Sequence, residues 1–200
     1  MALSTKNYLL LLLLLTVMAS GCSVTTPEAV YYSLTSSEET FIGKTQPSPN
    51  TLAIGIGPVK FPGELDRPSI VTRSGQNRLV INEFQRWGGS LEKNFLRVMA
   101  DNLTSLLKTD QVMTRPWEHY FQPDIRLALD IHQFDGRLGE SASLTVTWVI
   151  YREGQETGAV VHRSVLNEPL AEKSYDALVA AQSRLVARLA EEIAKAIVKL

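Results

Sequence analysis

Among 200 residues there is one cysteine, Cys22. A thiol is reactive as its thiolate, a soft nucleophile that the neighbouring side chains cannot match. Ala19, Ser20 and Gly21 precede it, and their small side chains let an extended backbone enter a narrow enzyme cleft. A lone cysteine closes no intramolecular disulfide, so modification is the chemistry left to it. The other reactive residues fail on spacing. His119, His132 and His162 are too far apart to share one helical face, as the two histidines of a zinc protease do. Gly139-Glu140-Ser141-Ala142-Ser143 begins like a nucleophile elbow, but it ends in Ser and precedes a strand. Gly55-Ile56-Gly57 has Lys60 at the third glycine position of a dinucleotide fingerprint, and no helix follows. No phosphate-binding loop is present, so the chain is not itself a transport ATPase. The expectation is a protein that is not an enzyme, with no cofactor and no metal.

The residues around Cys22 explain why it is there. Lys6 gives a short basic start, Leu9 to Leu15 an unbroken leucine run, and Ala19 to Gly21 a small-residue cleavage region. This is the layout of a secretory signal. A membrane span needs about 20 apolar residues, and the stretch from Tyr8 to Ser20 is shorter. Ala19-Ser20-Gly21-Cys22 resembles the lipobox of bacterial lipoproteins, with Ala19 where Leu is usual. The alternative, an ordinary cleavage site, leaves Cys22 as a free thiol. The lipobox resemblance implies a thioether diacylglycerol and an amide-linked acyl chain on Cys22. Burial contributes about 0.8 kcal/mol per CH2, and two chains already anchor stably. Ser23, where Asp would favour inner-membrane retention, implies the periplasmic face of the outer membrane. The expected organisation is residues 1–21 as signal peptide, 22–30 as lipidated tether and 31–200 as a single periplasmic domain.

Lys6 is the only charged residue among the first 21, so cleavage takes the net charge from −1 to −2. Nucleic-acid binding needs a concentrated basic face and is not expected. Tyr31-Tyr32-Ser33-Leu34 reads as a first short strand, and residues 35–50 as a polar loop. Residues 52–59 read as a strand in which glycine permits close backbone approach or a bulge. Ile70 to Arg73 and Arg78 to Asn82 suit a hairpin around Gly75. Ser90 is a helix N-cap, followed by Leu91, Phe95, Val98, Met99, Leu103, Leu106 and Leu107 at helical spacing. Val112 to Thr114, Ile125 to Ile131, Ala142 to Tyr151 and Val160 to Leu166 read as strands. A second helix runs from Ser174 almost to Leu200, with Leu178, Leu185, Leu189, Ile193, Ala196 and Leu200 as its stripe. The expected fold is α/β of the α+β type: a mostly antiparallel mixed sheet with two long helices packed on one face. Trp87, Trp117 and Trp148 suit core-edge packing better than ligand stacking.

Motifs spread along the chain resemble those of the PqiC (YmbA) family of auxiliary lipoproteins of ABC-type and MCE-type transport systems. They are Tyr31-Tyr32-Ser33-Leu34, Ile54-Gly55-Ile56-Gly57-Pro58-Val59 with Phe61-Pro62, and Leu65 to Arg73. Phe84 to Leu91, Trp148 and Ser174 to Ala181 complete the set. The resemblance implies a fold like the N-terminal domain of TolB and a non-catalytic role in moving lipids or other hydrophobic solutes between membranes. Its implied partners are an MCE-domain protein and a permease, with a homo-oligomer open because such conduits are rings. The alternative is an envelope assembly lipoprotein that binds a barrel or peptidoglycan. The loop from Phe61 to Arg73 mixes apolar and charged side chains between Pro62 and Pro68, which makes Phe61, Leu65, Arg67 and Arg73 the expected partner contacts. The same loop could instead be a structural crossover. Cys22→Ser is expected to abolish acyl labelling and to release the protein from the membrane fraction; a variant that stays acylated and membrane-bound would refute the lipobox reading.

Overall fold

The computed structural model describes residues 27–37, 52–117, 119–154 and 159–200. The signal segment and Cys22 lie outside the described residues. The core forms where a period of two meets a period of 3.6. Strand β6 (Ile125–Arg137) turns Ile125, Leu127, Leu129 and Ile131 to one face. Strand β7 (Ser141–Arg152) does the same with Leu144, Val146, Trp148 and Ile150. The antiparallel register sets Leu127 beside Ile150, Leu129 beside Trp148 and Ile131 beside Val146. A register shift between Ile131 and Gln133 then brings Phe134 inward, as a bulge does.

Two helices cover that face. In α1 (Leu91–Leu107) the Ser90 Oγ accepts from the Lys93 N–H at 3.3 Å, and the helix ends at left-handed Lys108. In α2 (Tyr175–Ile197) the Ser174 Oγ accepts from the Ala177 N–H at 3.0 Å. Both N-caps sit where the sequence places them. Phe95, at the centre, is fully buried and meets Phe134 edge-on at 5.5 Å. Leu106 and Leu200 depart from the expected stripes, being 45% and 40% exposed. They lie at or past the helix ends. There Leu106 enters an open groove with Leu107, Ala194 and Val198.

The strands divide into two sheets. One has five strands in the order β5-β2-β6-β7-β8, with β2 (Ile54–Lys60), β5 (Val112–Thr114) and β8 (Val160–Pro169). β2 runs parallel to β5 and β6, while β6, β7 and β8 are antiparallel. The other sheet is β1-β4-β3, with β1 (Val30–Tyr32), β3 (Ser69–Arg73) and β4 (Leu79–Trp87). β4 reaches Trp87, past the expected end at Asn82, because β1 pairs with Gln85, Arg86 and Trp87. Between the sheets the chain leaves β2 after Lys60 and makes one 3-10 turn, Gly63–Leu65.

Residues 33–37 cross the helix pair, and helix side chains satisfy their backbone. The Leu34 N–H donates to Asn94 Oδ1 at 2.6 Å, and Arg97 Nη2 donates to the Leu34 carbonyl at 2.9 Å. The Thr35 N–H donates to Ser183 Oγ and the Ser37 N–H to Asn102 Oδ1, each at 3.2 Å. Leu34 itself is fully buried. Tyr32 donates its hydroxyl to Gln85 Oε1 at 2.6 Å. Burial, and then the nearby Asp176 and Tyr175, push that hydroxyl above its ordinary pKa.

Close approach is enforced at Gly136, where β6 meets α2. A Cβ there would lie 2.6 Å from Leu178 Cδ1 and 2.7 Å from the Ser141 carbonyl. Gly136→Ala is therefore expected to destabilise by about 1–3 kcal/mol through overpacking. Urea unfolding measures it; an unchanged midpoint would show that the strand and helix can move apart freely.

Candidate partner-docking groove

Three segments meet at the N-terminus of α1 and enclose an open groove of about 580 Å³. β1 contributes Tyr31, the 3-10 turn and the residues flanking it contribute Phe61, Leu65 and Arg67, and the end of β4 with the start of α1 contributes Trp87 to Glu92. The walls are fixed by backbone bonds. The Leu65 N–H donates to the Pro62 carbonyl, Trp87 N–H to Pro68 and Gly88 N–H to Tyr32, at 2.9, 2.7 and 2.8 Å. The Arg67 Nε donates to the Glu64 carbonyl at 2.9 Å, which holds the guanidinium stem along the turn.

Floor and rim differ in kind. Leu65, Trp87 and Leu91 are buried beneath the groove. Phe61 is half-buried and rests edge-on against Phe95 at 5.4 Å, so the floor continues into the core. The rim carries Tyr31, 63% exposed, with exposed Asp66, Arg67, Pro68, Ser90 and Glu92. This arrangement offers an apolar slot edged by both signs of charge. Its chemistry suits binding a side chain or short segment, with polar groups at the edge to set orientation.

Of the four expected contact residues, the structure brings Phe61, Leu65 and Arg67 to this groove. Leu65 serves as floor, because the 3-10 turn directs it into the core. Arg73 is elsewhere, at the far end of β3. Its Nε pairs with Asp135 Oδ2 at 2.6 Å, and the Asp135 side chain is 4% exposed. Asp135 also accepts from Gln133 Nε2 at 2.8 Å. Arg137 Nη2 adds a bond to the Gly75 carbonyl at 3.2 Å. Arg73 thus clamps the β3–β4 hairpin onto β6. Tyr31 and Glu92 belong to the groove and were missed in the sequence, since neither carries a local signal and both arrive by tertiary folding.

The other reactive side chains are engaged in packing. His132 Nε2 meets Thr147 Oγ1 at 2.8 Å, and His162 stacks on Trp148 at 4.2 Å. Trp148 Nε1 donates to Ser164 Oγ at 2.9 Å, and Ser164 donates on to Glu192. Among the described residues no group of three His, Cys, Asp or Glu is placed to hold a metal ion. No described helix is long and apolar enough to cross a membrane.

Residues 32–194 match the family described as ABC-type transport auxiliary lipoprotein component. A crystal structure of an uncharacterized protein superimposes with a TM-score of 0.68 at 19% identity, covering 86% of this chain and 99% of that one. A Xanthomonas campestris protein of the DUF330 family superimposes with a TM-score of 0.65 at 14% identity, covering 83% and 93%. At these identities the likeness speaks for the fold. A comparison with curated proteins gives no match.

The clamp makes a separate prediction. Arg73→Ala leaves the Asp135 carboxylate buried without its cation, which costs about 2–3 kcal/mol given that Arg73 is partly exposed. Replacing both residues by Met and Leu is expected to cost less than the single change. Denaturant unfolding of the three proteins checks this, and a single-variant loss near zero would remove the clamp.

Proposed function

Because the chain belongs to the ABC-type transport auxiliary lipoprotein family, we propose that it is a docking module for that system's envelope-spanning part. In this reading Cys22 carries the acyl chains and holds the protein to the periplasmic face of the outer membrane. The groove at the N-terminus of α1 receives a segment of an MCE-domain protein, whose conduit reaches up from a permease in the inner membrane. The transported cargo is a lipid or another hydrophobic solute. The chain positions and selects a partner; it carries out no reaction.

The observation that carries the reading is the place of the groove. Tyr31 lines it, and Tyr31 belongs to the strand that the tether leads into. Residues 23–29 span at most about 25 Å when extended. β6 is 13 residues long, so the two ends of its sheet lie about 40 Å apart at about 3.3 Å per residue. The tether enters at the end that bears the groove, where Tyr32 lies 6.3 Å from Tyr175 at the start of α2. An anchor at Cys22 keeps that end near the membrane, where a conduit must arrive to deliver a hydrophobic cargo. The buried floor under a polar rim also fits a rigid site that loses little entropy on binding.

A photo-crosslinker in place of Arg67, with a control at Val161, tests the reading in cells. Crosslinks from position 67 to an MCE-domain protein are expected, and none from 161. Recovery of only an outer-membrane barrel or peptidoglycan from position 67 would favour an assembly role and contradict the proposal.

A further inference from the structure

The two glycines of Gly55-Ile56-Gly57 are seats for two side chains. On β2 they alternate with fully buried Ile54 and Ile56, so they lie on the sheet face that the helices leave open. The Trp117 ring covers the first: a Cβ at Gly55 would come within 3.0 Å of it. The Arg115 stem covers the second: a Cβ at Gly57 would lie 2.9 Å from Arg115 Cβ. Glycine weakens a strand and marks the close approach of another group. The Arg115 N–H donates to the Ile56 carbonyl at 2.9 Å, which holds the segment after β5 against β2.

Two cations share the Trp117 ring. The Arg115 guanidinium lies 5.2 Å from its centre and that of Arg126 5.8 Å. Arg126 stands opposite Tyr151 in the β6–β7 register, and both are half-buried on the open face. The neighbouring carboxylates are engaged. Glu153 accepts from Arg126 Nη2 and Asp124 from the Ala53 N–H, each at 2.8 Å. Asp130 is further along β6, beside Lys60 in the register. Arg115 is exposed and has no carboxylate partner among the described residues. Contact with a ring uses the face of a guanidinium and leaves its in-plane N–H donors free. A chain of net charge −1 therefore carries a locally positive platform with one donor fork unused.

We propose that this platform is a second docking site, and that it takes a carboxylate-rich peptide segment of a partner protein. A carboxylate accepts two parallel bonds from such a fork. Trp117 and Tyr151 offer flat area to the chain that carries it, and Trp, Tyr and Arg are the residues that dominate binding at interfaces. Gly55 is six residues before Phe61, so the platform lies about 20 Å from the groove and both sites can be filled at once. With the groove end held near the membrane, the platform is at the far end, where a periplasmic protein rather than a lipid headgroup supplies the anion. That placement rests on the reading of Cys22 as acylated; the charge and the geometry of the platform do not.

The test titrates the protein, in neutral detergent at low salt, with a glutamate decamer and with a glutamine decamer, following tryptophan emission. Trp87 and Trp148 are only 5% and 3% exposed, so half-buried Trp117 dominates the response. A saturable change with the glutamate decamer and none with the glutamine decamer are expected. Arg115→Gln is expected to weaken binding about tenfold, while Lys199→Gln, which removes the same charge elsewhere, leaves it unchanged. Equal weakening by the two variants, or no saturable change with the glutamate decamer, would overturn the site. Phosphatidylglycerol vesicles or inorganic phosphate that saturate the change where the peptide does not would overturn the peptide as its ligand.

Discussion

Leu34 is where the N-terminal chain is fastened to the domain. Its side chain is fully buried, its N–H is taken by Asn94 and its carbonyl by Arg97. A buried backbone segment outside a sheet must find partners for its polar groups, and here both helices supply them. This fixes where the tether leaves the fold. An anchored protein does its work by position, so the exit point decides which surface faces the membrane and which faces away. A tether released from the other end of α1 would carry the same residues and present the opposite face.

The split into two sheets follows from the same economy. β2 ends at Lys60, and the turn at Gly63–Leu65 lifts the chain off the main sheet. The small sheet then has to be held by side chains. Leu65 and Ile70 supply apolar contact, Arg73 and Asp135 a charged clamp, and Phe61, Phe95 and Phe134 a run of edge-on rings. The groove lies where the small sheet, the 3-10 turn and the start of α1 meet. Its floor is core and its rim is surface.

Much of this was legible in the sequence. Ser90 and Ser174 marked the helix starts because an N-cap is a local device that needs no tertiary context. The alternation of Ile125, Leu127, Leu129 and Ile131 marked a strand for the same reason. The signal was weaker where long-range contacts decide. Phe84 to Trp87 lack alternation, so nothing local extends the expected strand past Asn82 to Trp87. Arg73 looked like a surface charge because its partner Asp135 is distant in sequence. Leu65 sits in a loop rich in Gly and Pro, which gives no sign that it points inward. The groove combines Tyr31, residues 61–68 and residues 87–92, and no local pattern joins three such segments. Cys22 lies outside the described residues.

Hydrogen–deuterium exchange of the lipidated protein in vesicles, with and without an MCE-domain protein, tests the proposed docking most directly. The account predicts added protection in residues 61–68 and 87–92 when the partner is present, with residues 160–166 unchanged. Protection confined to the far end of the sheet, or none at the groove with the complex formed, would contradict it.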